Sequence, residues 1–235
     1  MLLRSLAVGT ASRFRSLFAP QGLTPAIAVR RFYEQARGNE EQYEIIDLGQ
    51  GAYRGLLEGL SSDAPPFRAR DARVLDLGCG DLHLLHHLCQ TSARPARYHG
   101  IDILPPSVAS SRLLNEDLTF QSGDLGNLQV NCPFAANLAI TCNALCYVQH
   151  PQNILRQAAE NLTVGGYAIV IEPIPSLFWE NYFNGIHLHF RPRGSFNAFL
   201  AELGVAHKGD YILYAVRIFG RPCWPVAYLS IFAKQ

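Results

Sequence analysis

From Val74 onward the chain alternates short β-rich runs with helical ones, and no other feature narrows its possible folds as much. Val74–Leu77 reads as a strand, followed by Gly78-Cys79-Gly80 and a helix over Leu82–Cys89. Tyr98–Ile103 is a second strand, Val108–Leu114 a helix, Leu118–Gln121 a short third strand and Ala136–Cys142 a fourth. A helix over Asn153–Leu162 leads through Gly165-Gly166 into a fifth strand, Tyr167–Glu172, and Phe196–Leu203 is again helical. Such alternation predicts a parallel sheet with helices on both faces. The last two β-rich runs, Asp210–Ile218 and Val226–Phe232, are joined through Gly220-Arg221-Pro222. That connection is too short for a crossover helix, so they pair antiparallel as a hairpin at one end of the sheet.

The segment before this core has a different character. Residues 1–70 read as a helical extension or lid, and 71–235 as the main domain. No Asp or Glu precedes Glu34, while Arg4, Arg13, Arg15, Arg30 and Arg31 do. Apolar residues at Leu2, Leu3, Leu6, Phe14, Leu17 and Phe18 have helical spacing. An acid-free, Arg- and Ser-containing segment of this kind is either an amphipathic helix packed on the domain or a mitochondrial presequence. Further helices are expected over Ala26–Arg37 and Gly51–Leu60, with a proline-containing linker over Ser61–Arg70.

Composition excludes several classes. Hydrophobic residues make up 49% of the chain, ample for a buried core. The net charge of +1 supplies no global field toward nucleic acid or anionic lipid, so no nucleic-acid partner is expected. None of the six cysteines forms a C-x-x-C pair or a zinc-like spacing, which points to free thiols in a reducing, cytoplasmic compartment and to no metal. No uninterrupted apolar stretch nears the ~20 residues that span a bilayer. Monomer and homodimer both remain open.

The chemistry gathers at strand ends. Asp76-Leu77-Gly78-Cys79-Gly80-Asp81 ends a strand and opens a helix, and glycines there let backbone N–H groups approach a ligand. A dinucleotide fingerprint would place glycine at position 83, where His83 stands. Asp102 ends the second strand, and a carboxylate there can accept from both hydroxyls of a ribose. Gly123-Asp124-Leu125 follows the third strand, and Cys142-Asn143-Ala144-Leu145 closes the fourth. All four sites fall at carboxyl ends of adjacent strands, where open α/β sheets bind ligands.

This order of motifs resembles the class I S-adenosylmethionine-dependent methyltransferases over about Arg73–Lys234. It is carried by Val74–Gly80, Gly100-Ile101-Asp102, Gly123-Asp124-Leu125, Asn143–Pro151 and Leu162–Tyr167. The resemblance implies an α/β, Rossmann-like three-layer sandwich whose seven-stranded, mostly parallel sheet has an antiparallel last strand. It implies S-adenosyl-L-methionine as methyl donor. Asp76, Gly78, Cys79 and Gly80 would hold its methionine end, Asp102 with Ile103 the ribose, Asp124 and Leu125 the adenine, and Asn143 the methionine side. Tyr33 and Arg37 would cap the site as family lids do. The chain departs from the family at Asp81-Leu82, where a further glycine is usual, and at Asn137, where many relatives carry Asp.

The acceptor is read less directly. Cys142-Asn143-Ala144-Leu145 stands where methyltransferases of base amino groups carry an Asn-Pro-Pro-Tyr-like motif, so a small molecule is the expected acceptor, at O, N or C. A protein or RNA acceptor, and a donor-binding protein without transfer, are the alternatives. The segment Pro173–Arg193 is rich in aromatic residues, which suits a small-molecule pocket. Within it and beside the fourth strand, Tyr147, Trp179, Tyr182 and Phe183 are candidate substrate contacts, and Glu180, His187 and His189 candidate bases. His150 lies near the expected methyl, while His83, His86 and His87 line a helix beside the glycine loop.

Overall fold

A computed structural model describes residues 71–90, 94–173, 189, 191–218 and 221–235, together with the backbone of 182–183 and 186–187. For 211–218 and 221–227 the backbone alone is described. The helices expected within residues 1–60, with Tyr33 and Arg37, lie outside the described residues, as do Trp179 and Glu180.

Strands β1 (Arg73–Leu77), β2 (Arg97–Asp102), β3 (Leu118–Ser122), β4 (Ala136–Cys142) and β5 (Leu162–Pro173) are followed by β8 (Val205–Ile218) and β9 (Arg221–Lys234) in one seven-stranded sheet. A two-stranded piece, β6 (Tyr182–Phe183) with β7 (Ile186–His187), stands apart. The large sheet runs β3-β2-β1-β4-β5-β9-β8. Pairs among β1 to β5 are parallel, and β9 is antiparallel to both β5 and β8. The expected hairpin therefore forms, and the last strand in sequence is slotted inside the sheet, between β5 and β8.

Helices α1 (His83–Gln90), α2 (Val108–Ser111), α3 (Gln152–Asn161) and α4 (Asn197–Glu202) complete the described elements, with a 3-10 turn over Leu145–Tyr147. The core is in two layers. On one face of the sheet Leu84, Leu85 and Leu88 of α1 pack on Val74, Ile140 and Ile169. On the other, Ile154, Leu155 and Ala158 of α3 and Leu200 of α4 pack on Leu75, Val170 and Phe232. Strands covered on both faces become near-continuous apolar runs, as in β4 and the end of β5.

Several boundaries move. The helix read over Val108–Leu114 is one turn, because the N–H groups of Leu113 and Leu114 bond three residues back, to Ser110 and Ser111. Asn115 then caps the amides of Asp117 and Leu118 and ends the element. β5 opens at Leu162 opposite Ala136 but pairs regularly only from Tyr167. The residues between, with Gly165 at φ +76°, bulge out. Asn137 serves the fold. Its Oδ1 accepts from Arg73 N at 2.8 Å and its Nδ2 donates to Asp71 O at 3.1 Å. A carboxylate could accept but not donate, so asparagine ties β4 to the start of β1 at both ends of its amide.

Candidate active site

The chain places β2 and β3 on one side of β1 and β4 on the other, so the strand order reverses between β1 and β4. Loops leaving these two strands diverge there, and a crevice at the carboxyl edge results. Here the loops are close. Gly78 has φ +82°, and a Cβ on it would sit 2.3 Å from Ala144 Cβ, with Leu125 Cδ1 at 3.6 Å. Leu77-Gly78-Cys79 from β1, Ala144 from β4 and Leu125 from the β3 loop thus converge. The N–H groups of Gly78 and Cys79 both donate to Ile101 O, at 2.8 and 3.0 Å, which draws the glycine loop over β2.

Two carboxyl groups anchor this loop differently. Asp102 accepts from Gly80 N at 2.9 Å through Oδ2 and from Leu104 N at 3.0 Å through Oδ1. Asp76 is fully buried, accepts from Tyr98 Oη at 2.7 Å through Oδ2, and leaves Oδ1 without a partner. Burial pushes its carboxyl up to about 7 against the Tyr98 hydrogen bond, and the Asp102 charge adds to the rise. Tyr98 reaches Asp76 because residue 100 is glycine; a Cβ there would lie 2.9 Å from both Cys79 Sγ and Tyr98 Cε1. Cys79 is buried, which with the two aspartates holds its thiol well above the ordinary range.

The departure at Asp81-Leu82 is resolved by contacts. Asp81 Oδ1 accepts from Ser107 N at 2.6 Å, and Oδ2 accepts from Ser107 Oγ and Ser110 Oγ, both at 2.9 Å. His86 Nε2 lies 2.9 Å from Ser110 Oγ. One carboxylate therefore docks the loop after β2 on the loop after β1. Leu82 has φ +60°, uncommon for a side-chain-bearing residue, and its complete burial holds it there.

Asp124 turns partly inward: Oδ1 accepts from Gly126 N at 3.0 Å and Oδ2 from Asn127 Nδ2 at 2.7 Å. Gly123 N donates to Asp102 O at 2.8 Å and keeps this loop beside the others. Asn143 has φ +52° and donates its N–H to Ile171 O at 2.8 Å. Ile103 follows Asp102 and is half-buried. The sequence-derived donor residues from 76 to 143 thus lie at one edge of the sheet.

The described acceptor candidates fall in two segments, the turn after β4 and the stretch that holds β6, β7 and His189. Tyr147 is half-buried in the 3-10 turn, and His150 is exposed. Tyr182 and His187 are paired positions of β6 and β7, next to Phe183. His189 donates its backbone N–H to Cys146 O at 2.7 Å, which brings it against the β4 loop.

Four residues at this edge escaped the sequence reading: Tyr98, Asp81 as an anchor, Glu172 and Arg191. Glu172 had a signal, a lone acid ending an apolar run. It is buried, with Oε1 accepting from Leu145 N at 3.0 Å. Burial pushes it up to about 8 against backbone hydrogen bonds and the Arg191 charge. Tyr228, opposite Glu172 in the β5–β9 register, is buried with its hydroxyl unpartnered. Among the described residues no group of three His, Cys, Asp or Glu converges as a metal site. No described helix is long and apolar enough to cross a membrane.

Comparison with known proteins fits this geometry. A family model described as a methyltransferase domain matches residues 49–204, most of the chain. The chain belongs to this family, and it is a class I S-adenosylmethionine-dependent methyltransferase. Solved structures share the fold at low identity. Magnesium protoporphyrin IX methyltransferase of Synechocystis PCC 6803, with bound S-adenosylmethionine, has TM-score 0.64 at 15% identity, covering 92% of this chain and 100% of that one. A methyltransferase of Haloferax volcanii in complex with the Trm112 methyltransferase activator has TM-score 0.63 at 17% identity, covering 89% and 97%. An S-adenosylmethionine-dependent methyltransferase from Mesorhizobium loti has TM-score 0.55 at 18% identity, covering 72% and 93%. No curated protein sequence matches the chain.

Proposed function

We propose that this protein transfers a methyl group from S-adenosylmethionine to a small molecule, with the donor lying across the loops that leave β1, β2, β3 and β4. The observation that carries the reading is the convergence at Gly78, where backbone without a side chain meets Ala144 and Leu125 beside two aspartates. The orphaned Asp76 Oδ1 suits the ammonium of the donor's methionine end, since a cation favours the ionised carboxylate and supplies the missing partner. Asp102, whose two oxygens accept from the Gly80 and Leu104 amides, ends β2 at the carboxyl edge, where a carboxylate suits ribose hydroxyls. Leu125, packed toward Gly78, suits one face of the adenine. Asp124 supports the adenine contact through its loop, because both of its oxygens already accept within it.

The donor supplies a methyl group already activated on a sulfonium. What remains for the chain is to orient the acceptor and exclude water. The turn holding Tyr147 and the arm holding His189 border the same edge, and a base is needed there only for an acceptor that must lose a proton. The aromatic content of 173–193 and the near-zero net charge support a small acceptor. The Synechocystis neighbour acts on a small molecule, while the Haloferax neighbour works with an activator protein.

Calorimetry with S-adenosylmethionine and S-adenosylhomocysteine tests the donor site. Binding by the native protein and a weakened Asp102→Ala variant are expected, and no sub-millimolar binding of either ligand ends the proposal. A metabolite screen with methyl-labelled donor, run against protein and RNA controls, tests the acceptor class. Label in macromolecules alone refutes the small-molecule reading.

A further inference from the structure

Arg191 lies near the end of the aromatic segment and reaches back to the loop after β4. Its Nη1 donates to the carbonyls of Leu145 at 2.8 Å and His189 at 3.0 Å, and its Nη2 to those of Val148 at 2.5 Å and Gln149 at 3.0 Å. The guanidinium lies over the ring of buried Phe196, 6.0 Å from its centroid, within cation–π reach. Glu172 grips the same turn from the sheet by accepting from Leu145 N at 3.0 Å. His189 N adds a third tie, to Cys146 O. Leu145 thus has both backbone groups held by side chains. The turn's own bonds are Tyr147 N to Ala144 O at 3.2 Å and Val148 N to Leu145 O at 3.0 Å. A 3-10 turn this short is too weakly bonded to keep one position unaided. A planar fork of five N–H donors can hold four carbonyls in one fixed geometry, which the three donors of an ammonium on a flexible stem cannot match.

We propose that Arg191 is a positioning residue that locks the β4 loop, which carries Asn143 and Tyr147, to the arm that carries His189 and Arg191 itself, so that the donor-side and acceptor-side walls are set as one unit. The role of that loop rests on the functional reading above. The lock itself rests on the hydrogen bonds alone. Because coupling between two sites is reciprocal, donor occupancy at the loop also steadies the arm bordering the acceptor.

The test is amide hydrogen exchange of the full chain, with and without S-adenosylhomocysteine, in the native protein, R191K, R191M, E172Q and E172A. The amides to follow are Leu145, Tyr147, Val148 and His189, against those of the β1–β4 pairing as internal reference. R191K and R191M are expected to speed exchange at these four selectively, and to weaken S-adenosylhomocysteine roughly tenfold, the effect of losing one charge-assisted hydrogen bond. In the native protein the ligand slows exchange at His189 as well as at Leu145; in R191M it slows Leu145 alone. E172Q, which keeps an acceptor for Leu145 N, behaves like the native protein, whereas E172A does not. The proposal is overturned if R191K matches the native protein, or if exchange rises uniformly through the sheet. A native protein that binds no ligand refutes the donor reading instead, and the ligand-free exchange pattern still decides the lock.

Discussion

Replacing Gly78 with alanine tests the geometry on which the proposed donor site rests. The new Cβ would lie 2.3 Å from Ala144 Cβ, whereas its next neighbours, Ala144 Cα and Leu125 Cδ1, are both at an unstrained 3.6 Å. Carbon atoms pack at about 3.5–4.0 Å, so a gap of more than about 1 Å must be opened between two loops already bonded to the sheet. Overpacking of this sort costs about 1–3 kcal/mol. The φ of +82° adds a backbone term, about 1–2 kcal/mol for a residue with a Cβ. The single substitution is therefore expected to destabilise by about 2–5 kcal/mol. All of the clash is with one methyl group, so Ala144→Gly removes it and leaves the backbone term. In that background Gly78→Ala should cost only about 1–2 kcal/mol, giving an interaction energy of about 1–3 kcal/mol in the double-mutant cycle. Urea unfolding measures the four stabilities, and calorimetry with S-adenosylhomocysteine follows the site in parallel. If Gly78→Ala is neutral, or Ala144→Gly leaves its penalty unchanged, the close approach of the β1 and β4 loops is refuted.

Other expectations follow from the buried acids. Asp76 and Glu172 are raised to about 7 and about 8 from ordinary values of 3.8 and 4.5, so between those limits the folded chain holds protons that the unfolded chain has released. Their contribution is full below the unfolded values and is lost as pH rises through the folded ones. The ligand-free protein should thus lose up to about 1.4 kcal/mol per pH unit per group between about pH 5 and pH 8, read from urea midpoints, with E172Q flattening the upper part; stability rising over this range would contradict the burial of both groups. Tyr98→Phe strips Asp76 of its hydroxyl partner and should cost about 1–3 kcal/mol at neutral pH while raising the Asp76 carboxyl further, visible as a shifted pH–stability curve. Asp81→Asn places an amide donor against the Ser107 and Ser110 donors, so a loss of about 1–3 kcal/mol and weaker donor binding are expected; unchanged calorimetry and unfolding would dismiss the bridge between the two loops.

The sheet, and the strand ends that carry the candidate site, were legible because they rest on local signals. Apolar runs such as 136–142, followed by Asn143, and 167–171, followed by Glu172, are buried strands read directly. Gly78-Cys79-Gly80 announces a backbone that needs freedom at that point. What stayed hidden depends on pairs far apart in sequence. Nothing in Ala144 signals that it touches Gly78, and nothing in Arg191 signals four carbonyls, three of them more than forty residues upstream and one next door. Leu82 carries no mark of its left-handed backbone, because the cause is the burial of its side chain. β8 begins at Val205, earlier than its pattern indicates, since His207-Lys208-Gly209 form a polar, bulged edge that lacks strand periodicity.

The placement of β9 inside the sheet also has a consequence for how the chain is made. β5 and β8 emerge first, yet neither neighbours the other; each waits for residues 221–234 to fill the gap. Until then β8 and the free side of β5 present unpaired N–H and C=O groups, the surface most prone to pairing with another copy. The final ties are late as well, with Lys234 Nζ donating to Ala159 O and Leu162 O and Gln235 N donating to Gly204 O. The sheet therefore closes by insertion from within, and a chain cut before residue 221 leaves β8 with no strand partner in the sheet.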